Sequence, residues 1–179
     1  MRRLTAVAIL LIAALTACSD HQNQQDQQEI SWTKVDVGEA EPVTLTAHGS
    51  QLLVGLRHRG AKVVPELMLY DESGKHTPVA VKPNPASPYA FEAVWYSIAY
   101  DGRQLLALGG ASGGAHSNTR WTVWTGTPKT GVIERPQNFF TFGGQTAGDL
   151  FSAVLTPSGS ALLGSWGGVQ TGNDAMVWL

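Results

Sequence analysis

Cysteine is nearly missing from this chain of 179 residues: its single thiol is Cys18. Past that position there is no disulfide, no thiolate metal site and no cysteine nucleophile, so a fold must be held by packing. Charge is sparse, with 12 basic and 14 acidic side chains. No basic stripe gathers anywhere, which argues against nucleic acid as a partner, and no acidic cluster suggests a calcium site. Apart from Leu4 to Leu15 there is no long apolar run, and no later segment has helical periodicity. Catalytic signatures are missing too. The run Gly109 to Gly114 precedes a strand pattern, whereas a phosphate cradle needs a helix behind it. Gly164-Ser165-Trp166-Gly167 lacks the spacing of a nucleophile elbow. His58 and His116 have no second ligand at helical or hairpin spacing, so no metal is expected, nor any cofactor. His21, alone among glutamines, reads as solvated.

What is present begins at the start of the chain. Arg2 and Arg3 precede the apolar stretch Leu4 to Leu15. Twelve residues make about 18 Å of helix, too short for a hydrocarbon core of about 30 Å. A basic flank, a short apolar run and small residues form an export signal. The segment Leu15-Thr16-Ala17-Cys18 resembles the lipobox of bacterial lipoproteins. That resemblance implies cleavage before Cys18, lipid on its sulfur and a place at the cell membrane, anchored on the extracytoplasmic side. Ser19 to Glu29 contains no apolar residue and reads as a flexible polar tether. Without Arg2 and Arg3, ten basic side chains face fourteen acidic ones, a balance of −4. Six of those acids (Asp20, Asp26, Glu29, Asp36, Glu39 and Glu41) precede residue 42, leaving the remainder near neutral. The expected division is a signal over 1–17, a tether over 18–30 and a strand-rich region over 31–179.

That region contains a threefold echo. Gly49-Ser50-Gln51-Leu52-Leu53, Gly102-Arg103-Gln104-Leu105-Leu106 and Gly159-Ser160-Ala161-Leu162-Leu163 repeat one turn and strand, 53 and then 57 residues apart. Leu69-Tyr70, Val123-Trp124 and Val177-Trp178 recur beside it at intervals of 54 and 54. A period of about 50 residues built from short strands points to β-propeller blades. The expected fold is therefore all-β: a partial propeller of about three four-stranded antiparallel blades over 42–82, 91–135 and 150–179. Propellers close into rings of about 4 to 8 blades. Two complete units and most of a third predict an incomplete ring, a fragment of a longer protein. Completion of the ring by other copies, or a sandwich, is the alternative.

Gly109-Gly110 ahead of Trp121 and Trp124, and Gly167-Gly168 ahead of Trp178, are similar to the double glycine and following aromatic of kelch and galactose-oxidase-like propellers. The first unit departs from that pattern with Gly55 alone, although Leu69-Tyr70-Asp71 looks like the family's Tyr-Asp. Sialidase-like propellers are also resembled, without the aromatic of their Asp-box beside Gly49, Gly102 or Gly159. These resemblances imply a fold and not an activity.

In four-stranded blades the loops from strand 2 to strand 3 and from blade to blade share one face. They cover 57–64, 82–90, 109–118, 136–149 and 167–174. A partner would meet Arg57, His58, Arg59, His116, Asn118, Arg120, Asp149, Asn173 and Asp174 there. Trp95, Trp121, Trp124, Trp166 and Trp178 sit at repeated strand positions and read as inter-blade packing more than as sugar platforms. The leading functional reading is a non-catalytic, lipid-anchored module that binds a protein or glycan through this face. The alternative is part of a sialidase- or glycosidase-type enzyme, for which Asp149 and Asp174 are the carboxylate pair to consider.

Overall fold

The structure, a computed structural model, describes residues 32, 34–60, 64–87, 89–113, 119–168 and 170–179. The expected signal, Cys18, the polar tether, His116 and Asn118 lie outside the described residues. Val35–Leu179 gather into one unit. Within it the fold is all-β: three sheets, and no closed barrel among the described residues.

Sheet 1 is a meander of β1 (Glu41–His48), β2 (Gln51–His58), β3 (Val64–Tyr70) and β4 (His76–Val79), each antiparallel to the next. Sheet 2 carries β6 (Val94–Tyr100), β7 (Leu105–Ser112), β8 (Thr119–Thr127) and β9 (Gly131–Glu134) in the same order, with the two-residue β5 (Val81–Lys82) added in parallel outside β9. Sheet 3 has three strands, β10 (Ala147–Thr156), β11 (Gly159–Gly168) and β12 (Gly172–Trp178). A 3-10 turn at Ala90–Glu92 precedes β6, and a single helical turn, α1 (Phe139–Phe142), precedes β10.

The echoed sequence lies at the first hairpin of each sheet, although its glycine falls within the loop at Gly49 and Gly102 and pairs with Thr156 at Gly159. In the first two hairpins the glycine has positive φ, +57° at Gly49 and +90° at Gly102, where a Cβ would be strained. The two leucines that follow then point to opposite faces of the sheet, because side chains alternate along a strand. Leu105 looks back toward sheet 1 and Leu106 forward toward sheet 3. Leu53 looks forward into the layer shared with sheet 2, while Leu52 looks back toward Val35, Val37 and Ala40. Leu162 looks back into the layer shared with sheet 2. The second echo obeys the same rule: Tyr70, Trp124 and Trp178 look back, and Leu69 and Val123 look forward.

Three apolar layers result. The first joins Leu53, Leu67 and Val79 of sheet 1 to Trp95, Ile98, Leu105 and Trp124 of sheet 2. The second joins Leu106, Leu108 and Trp121 of sheet 2 to Leu150, Ala153 and Leu162 of sheet 3. The third covers the back of sheet 1, where Val54, Leu56 and Tyr70 lie under Val35, Val37 and Ala40. Full burial of side chains this size contributes about 1.5–3 kcal/mol each. Polar ties lock the layers. The Trp95 indole N–H donates to the Glu66 carbonyl at 2.8 Å, the Tyr100 hydroxyl donates to Gln51 Oε1 at 2.8 Å, and the Ala153 N–H donates to Ser97 Oγ at 3.0 Å. Burial raises the pKa of the Tyr100 hydroxyl and keeps it a donor. The first strands of the sheets lie side by side, β1 against β6 and β6 against β10.

The structure differs from the sequence reading in four places. The first unit, expected over 42–82, ends earlier: the chain breaks at Ala80, whose carbonyl accepts from Val132 N–H at 2.8 Å, so that β4 stays in sheet 1 and β5 crosses to sheet 2. Gly131 permits this crossing, with φ +80° and a position where a Cβ would overlap the Ala80 carbonyl oxygen. The loop expected over 136–149 contains α1, whose N-terminus is capped by the Asn138 side chain, which accepts from Phe140 N–H at 2.9 Å. The loop expected over 167–174 is far shorter, because β11 and β12 stay paired out to Gly168 and Gly172. Arg57 and His58 end a strand rather than open a loop.

Candidate binding site

A pocket of about 380 Å³ opens at one end of sheet 2, within the usual size range for small-molecule sites of about 300–1,000 Å³. Three chain segments meet there. The linker ahead of β6 contributes Asn84, Ser87 and Tyr89. The start of β8 contributes Arg120, Trp121 and Thr122. The end of β9 and the linker beyond it contribute Glu134, Arg135, Gln137 and Asn138, with Phe142 of α1 closing one side.

Each segment is held by its own hydrogen bonds. Asn84 Oδ1 accepts from Ala86 N–H at 3.0 Å, and Asn84 O accepts from Ser87 N–H at 2.9 Å, folding the linker into a tight turn. Arg135 N–H donates to the Val123 carbonyl at 2.7 Å, extending the β8–β9 ladder by one bond. The Gln137 amide donates to the Trp121 carbonyl, drawing the outgoing linker over the start of β8. Trp121 is itself fixed by an edge-on contact with Tyr96, ring centroids 4.9 Å apart.

The chemistry centres on Glu134, which is 4% exposed. An isolated buried carboxylate is costly, so it needs donors or a counter-charge. Asn84 N–H donates to Glu134 Oε2 at 2.8 Å, tying the incoming linker to β9. Two guanidinium-bearing residues, Arg120 and Arg135, line the same pocket. The cavity therefore offers one carboxylate, cationic groups, amide and hydroxyl groups, and aromatic faces. That mixture suits a hydroxyl-rich ligand more than an apolar one. Among the described residues no group of three or more His, Cys, Asp or Glu is placed to hold a metal ion.

The sequence-selected residues scatter. Arg120 lines the pocket. Arg57 and Arg59 instead converge on Glu41, with Arg57 Nη2 to Glu41 Oε2 at 2.7 Å and Arg59 Nε to the same oxygen at 2.5 Å. These bonds hold the Glu41 pKa below its ordinary value. His58 Nδ1 lies 3.6 Å from Glu66 Oε1. Asp149 on β10 and Asn173 and Asp174 on β12 are exposed on sheet 3 and line no part of the pocket; Asp174 Oδ2 accepts from Thr171 Oγ1 at 2.9 Å. Since β11 separates β10 from β12, the backbones of Asp149 and Asp174 stand about two strand spacings, ~10 Å, apart.

Set beside models of known families, curated proteins and solved structures, the chain matches none. Its pocket must therefore be read from its own residues. Sequence reasoning missed Glu134, although the signal was there. In Gly131-Val132-Ile133-Glu134 the acid shares a face with Val132, and Val132 is fully buried. The loop ranges 82–90 and 136–149 were legible and do supply Asn84, Ser87, Tyr89, Gln137, Asn138 and Phe142.

Proposed function

We propose that this chain is a lipid-anchored, extracytoplasmic binding module, built as part of a β-propeller, and that it holds a glycan end in the pocket around Glu134. The observation that carries the binding reading is the convergence of two inter-sheet linkers and the start of β8 on one pocket, whose lining includes the buried carboxylate of Glu134 as well as Arg120, Arg135 and Trp121. A site of this size admits sugar rings, whose hydroxyls pair with carboxylate, amide and guanidinium groups while an aromatic face covers the ring. The propeller reading is supported by successive meanders whose first strands touch and whose apolar layers alternate with the sheets.

The glycosidase alternative draws less support. Hydrolysis by the usual route takes two carboxylates flanking the bond, and Glu134 is the one carboxylate among the described residues that line the pocket. The membrane anchor rests on the Leu15-Thr16-Ala17-Cys18 resemblance. Its test is the mass of the N-terminal peptide and the fractionation of Cys18→Ser: a diacylglyceryl adduct and loss of membrane retention are expected, and an unmodified Cys18 sinks the anchor.

The ligand test is titration calorimetry of the full chain against a panel of cell-envelope oligosaccharides. Glu134→Gln keeps the Asn84 hydrogen bond but removes the charge, and it is expected to weaken binding at least tenfold. Equal affinity in wild type and variant overturns the assignment of this pocket.

A further inference from the structure

Trp95, Trp121 and Trp124 are the buried tryptophans of this unit. Two of them use their indole N–H inside the fold. Trp95 donates to the Glu66 carbonyl at 2.8 Å, and Trp124 donates to Thr122 Oγ1 at 2.9 Å. Trp121 differs. It is 5% exposed, yet among the described residues its indole N–H has no acceptor. Among those residues no sealed side-chain nitrogen or oxygen lacks a partner, so this N–H is not shut inside the core and reaches the surface. The cavity that Trp121 lines is the pocket at the end of sheet 2.

A cation stands on the same side of the sheet. Trp124 pairs with Glu134, and the Arg135 N–H donates to the Val123 carbonyl, so Arg135 lies opposite Val123. Side chains alternate along both strands. Arg135 and Trp121 therefore share a face, as diagonal neighbours about 7–8 Å apart. The Arg135 Nε donates to Thr125 Oγ1, and Arg135 forms no ion pair among the described residues. The same alternation sends Arg120 and Glu134 to the opposite face, where their charges offset each other. The pocket wraps round the end of the sheet and has two unlike sides. One carries Glu134 with Arg120. The other carries an uncompensated guanidinium and an unused N–H donor.

We infer that the ligand of this pocket carries a carboxylate, as a uronic-acid sugar does, and that Arg135 and the Trp121 indole N–H receive it. The inference rests on the glycan reading above and names the class of glycan. A neutral sugar would give Trp121 an acceptor but leave the Arg135 charge unanswered. A carboxylate answers both, and hydrogen bonds between ionised groups are about twice as strong as neutral ones. One cation and one neutral donor match a single charge shared by two oxygens. A phosphate monoester brings up to about two charges and three acceptor oxygens, more than this side of the pocket offers. The hydroxyls of the ring fall to the Glu134 side.

The test uses the full chain in mild non-ionic detergent. The probes are disaccharides containing glucuronate, galacturonate or N-acetylmuramate, each beside its own carboxyl-reduced form, and a sugar 6-phosphate. Calorimetry is expected to show at least one acid binding at least tenfold tighter than its reduced form. Arg135→Gln, a change at an exposed side chain, should erase that difference. Nitrogen-15 spectra of the wild type, with the Trp121 indole signal assigned through Trp121→Phe, give a reading that needs no variant in the binding step. That signal should move when the acid binds, while those of Trp95 and Trp124 stay in place. Reduced forms that bind as tightly as the acids, with Glu134→Gln weakening both, overturn the carboxylate and leave the glycan reading standing. A Trp121 signal unmoved by a bound acid, or a sugar phosphate preferred to every acid, also overturns the inference. Binding of none of the probes sinks the inference and the glycan reading together.

Discussion

Truncating the forward leucine of each echo measures the packing directly. Leu53 and Leu106 are almost fully buried, in the layers on either side of sheet 2. Leucine to alanine at such sites loses the transfer free energy of the deleted atoms and leaves a cavity, for a total of about 2–5 kcal/mol. Leu163 occupies the same place in its echo but is 38% exposed. Truncation there opens no sealed cavity, and only part of the roughly 1.5–3 kcal/mol of full leucine burial is at stake. A cost near 1 kcal/mol is therefore expected. Equilibrium urea unfolding at low micromolar protein, followed by tryptophan fluorescence, reads the three values. Leu53→Ala and Leu106→Ala should each exceed Leu163→Ala by about 2 kcal/mol, a factor of about thirty in the unfolding constant. Equal costs at all three positions would refute the alternation of faces from which the layers were built.

The crossing at Gly131 predicts that Gly131→Ala destabilises more than Gly74→Ala. Both glycines have φ near +80°, but a Cβ at Gly131 overlaps the Ala80 carbonyl, whereas nothing lies within 4 Å of one at Gly74. About 1 kcal/mol is expected for Gly74→Ala and at least twice that for Gly131→Ala, read as urea midpoints; equal losses would refute the close approach. Acid should weaken the fold through carboxylates whose pKa is depressed when folded. Glu41 is lowered by hydrogen bonds from Arg57 and Arg59, and Asp101 by the backbone N–H groups of Gln104 and Arg103. Each contributes stability that is present above its unfolded pKa, 4.5 for Glu41 and 3.8 for Asp101, and lost as pH falls through the lower folded value. Urea midpoints should decline below about pH 4.5, and Glu41→Gln should flatten that decline; an unchanged slope in Glu41→Gln would show that the two arginines do not act through this carboxylate.

Much of the strand layout was legible because it depends on local rules. A turn glycine followed by two leucines fixes a hairpin and assigns one leucine to each face, whatever the rest of the molecule does. The tryptophans followed from the same alternation: Trp95 and Trp124 meet edge-on, centroids 5.4 Å apart, inside the layer between sheets 1 and 2. What stayed hidden depends on partners far away in sequence. Nothing near Ala80 announces that its carbonyl will accept from Val132, because parallel pairing between β5 and β9 is set by the packing of sheet 1 on sheet 2. The basic run at Arg57 to Arg59 read as a partner-facing loop because its neighbours, Glu41 beside the two arginines and Glu66 beside His58, reach it only once β1, β2 and β3 are paired.

β9 is where local pattern and structure part most clearly. Its register puts Glu134 opposite Trp124 and inside, and puts Ile133 opposite Thr125, where it is 52% exposed. A strand chosen for stability alone would exchange the two. Burying a paired carboxylate is often no better for stability than an uncharged group of similar shape, and can be worse by about 1–4 kcal/mol. Sites that break the folding pattern without a packing gain are where function is to be sought. Glu134→Gln keeps the volume and an acceptor for the Asn84 N–H, so it should leave the unfolding free energy within about 0.5 kcal/mol of wild type or raise it, while ligand affinity falls. A loss of 2 kcal/mol or more in the variant would mean that the carboxylate serves the fold, and that the pocket reading has mistaken a structural tie between linker and sheet for a binding group.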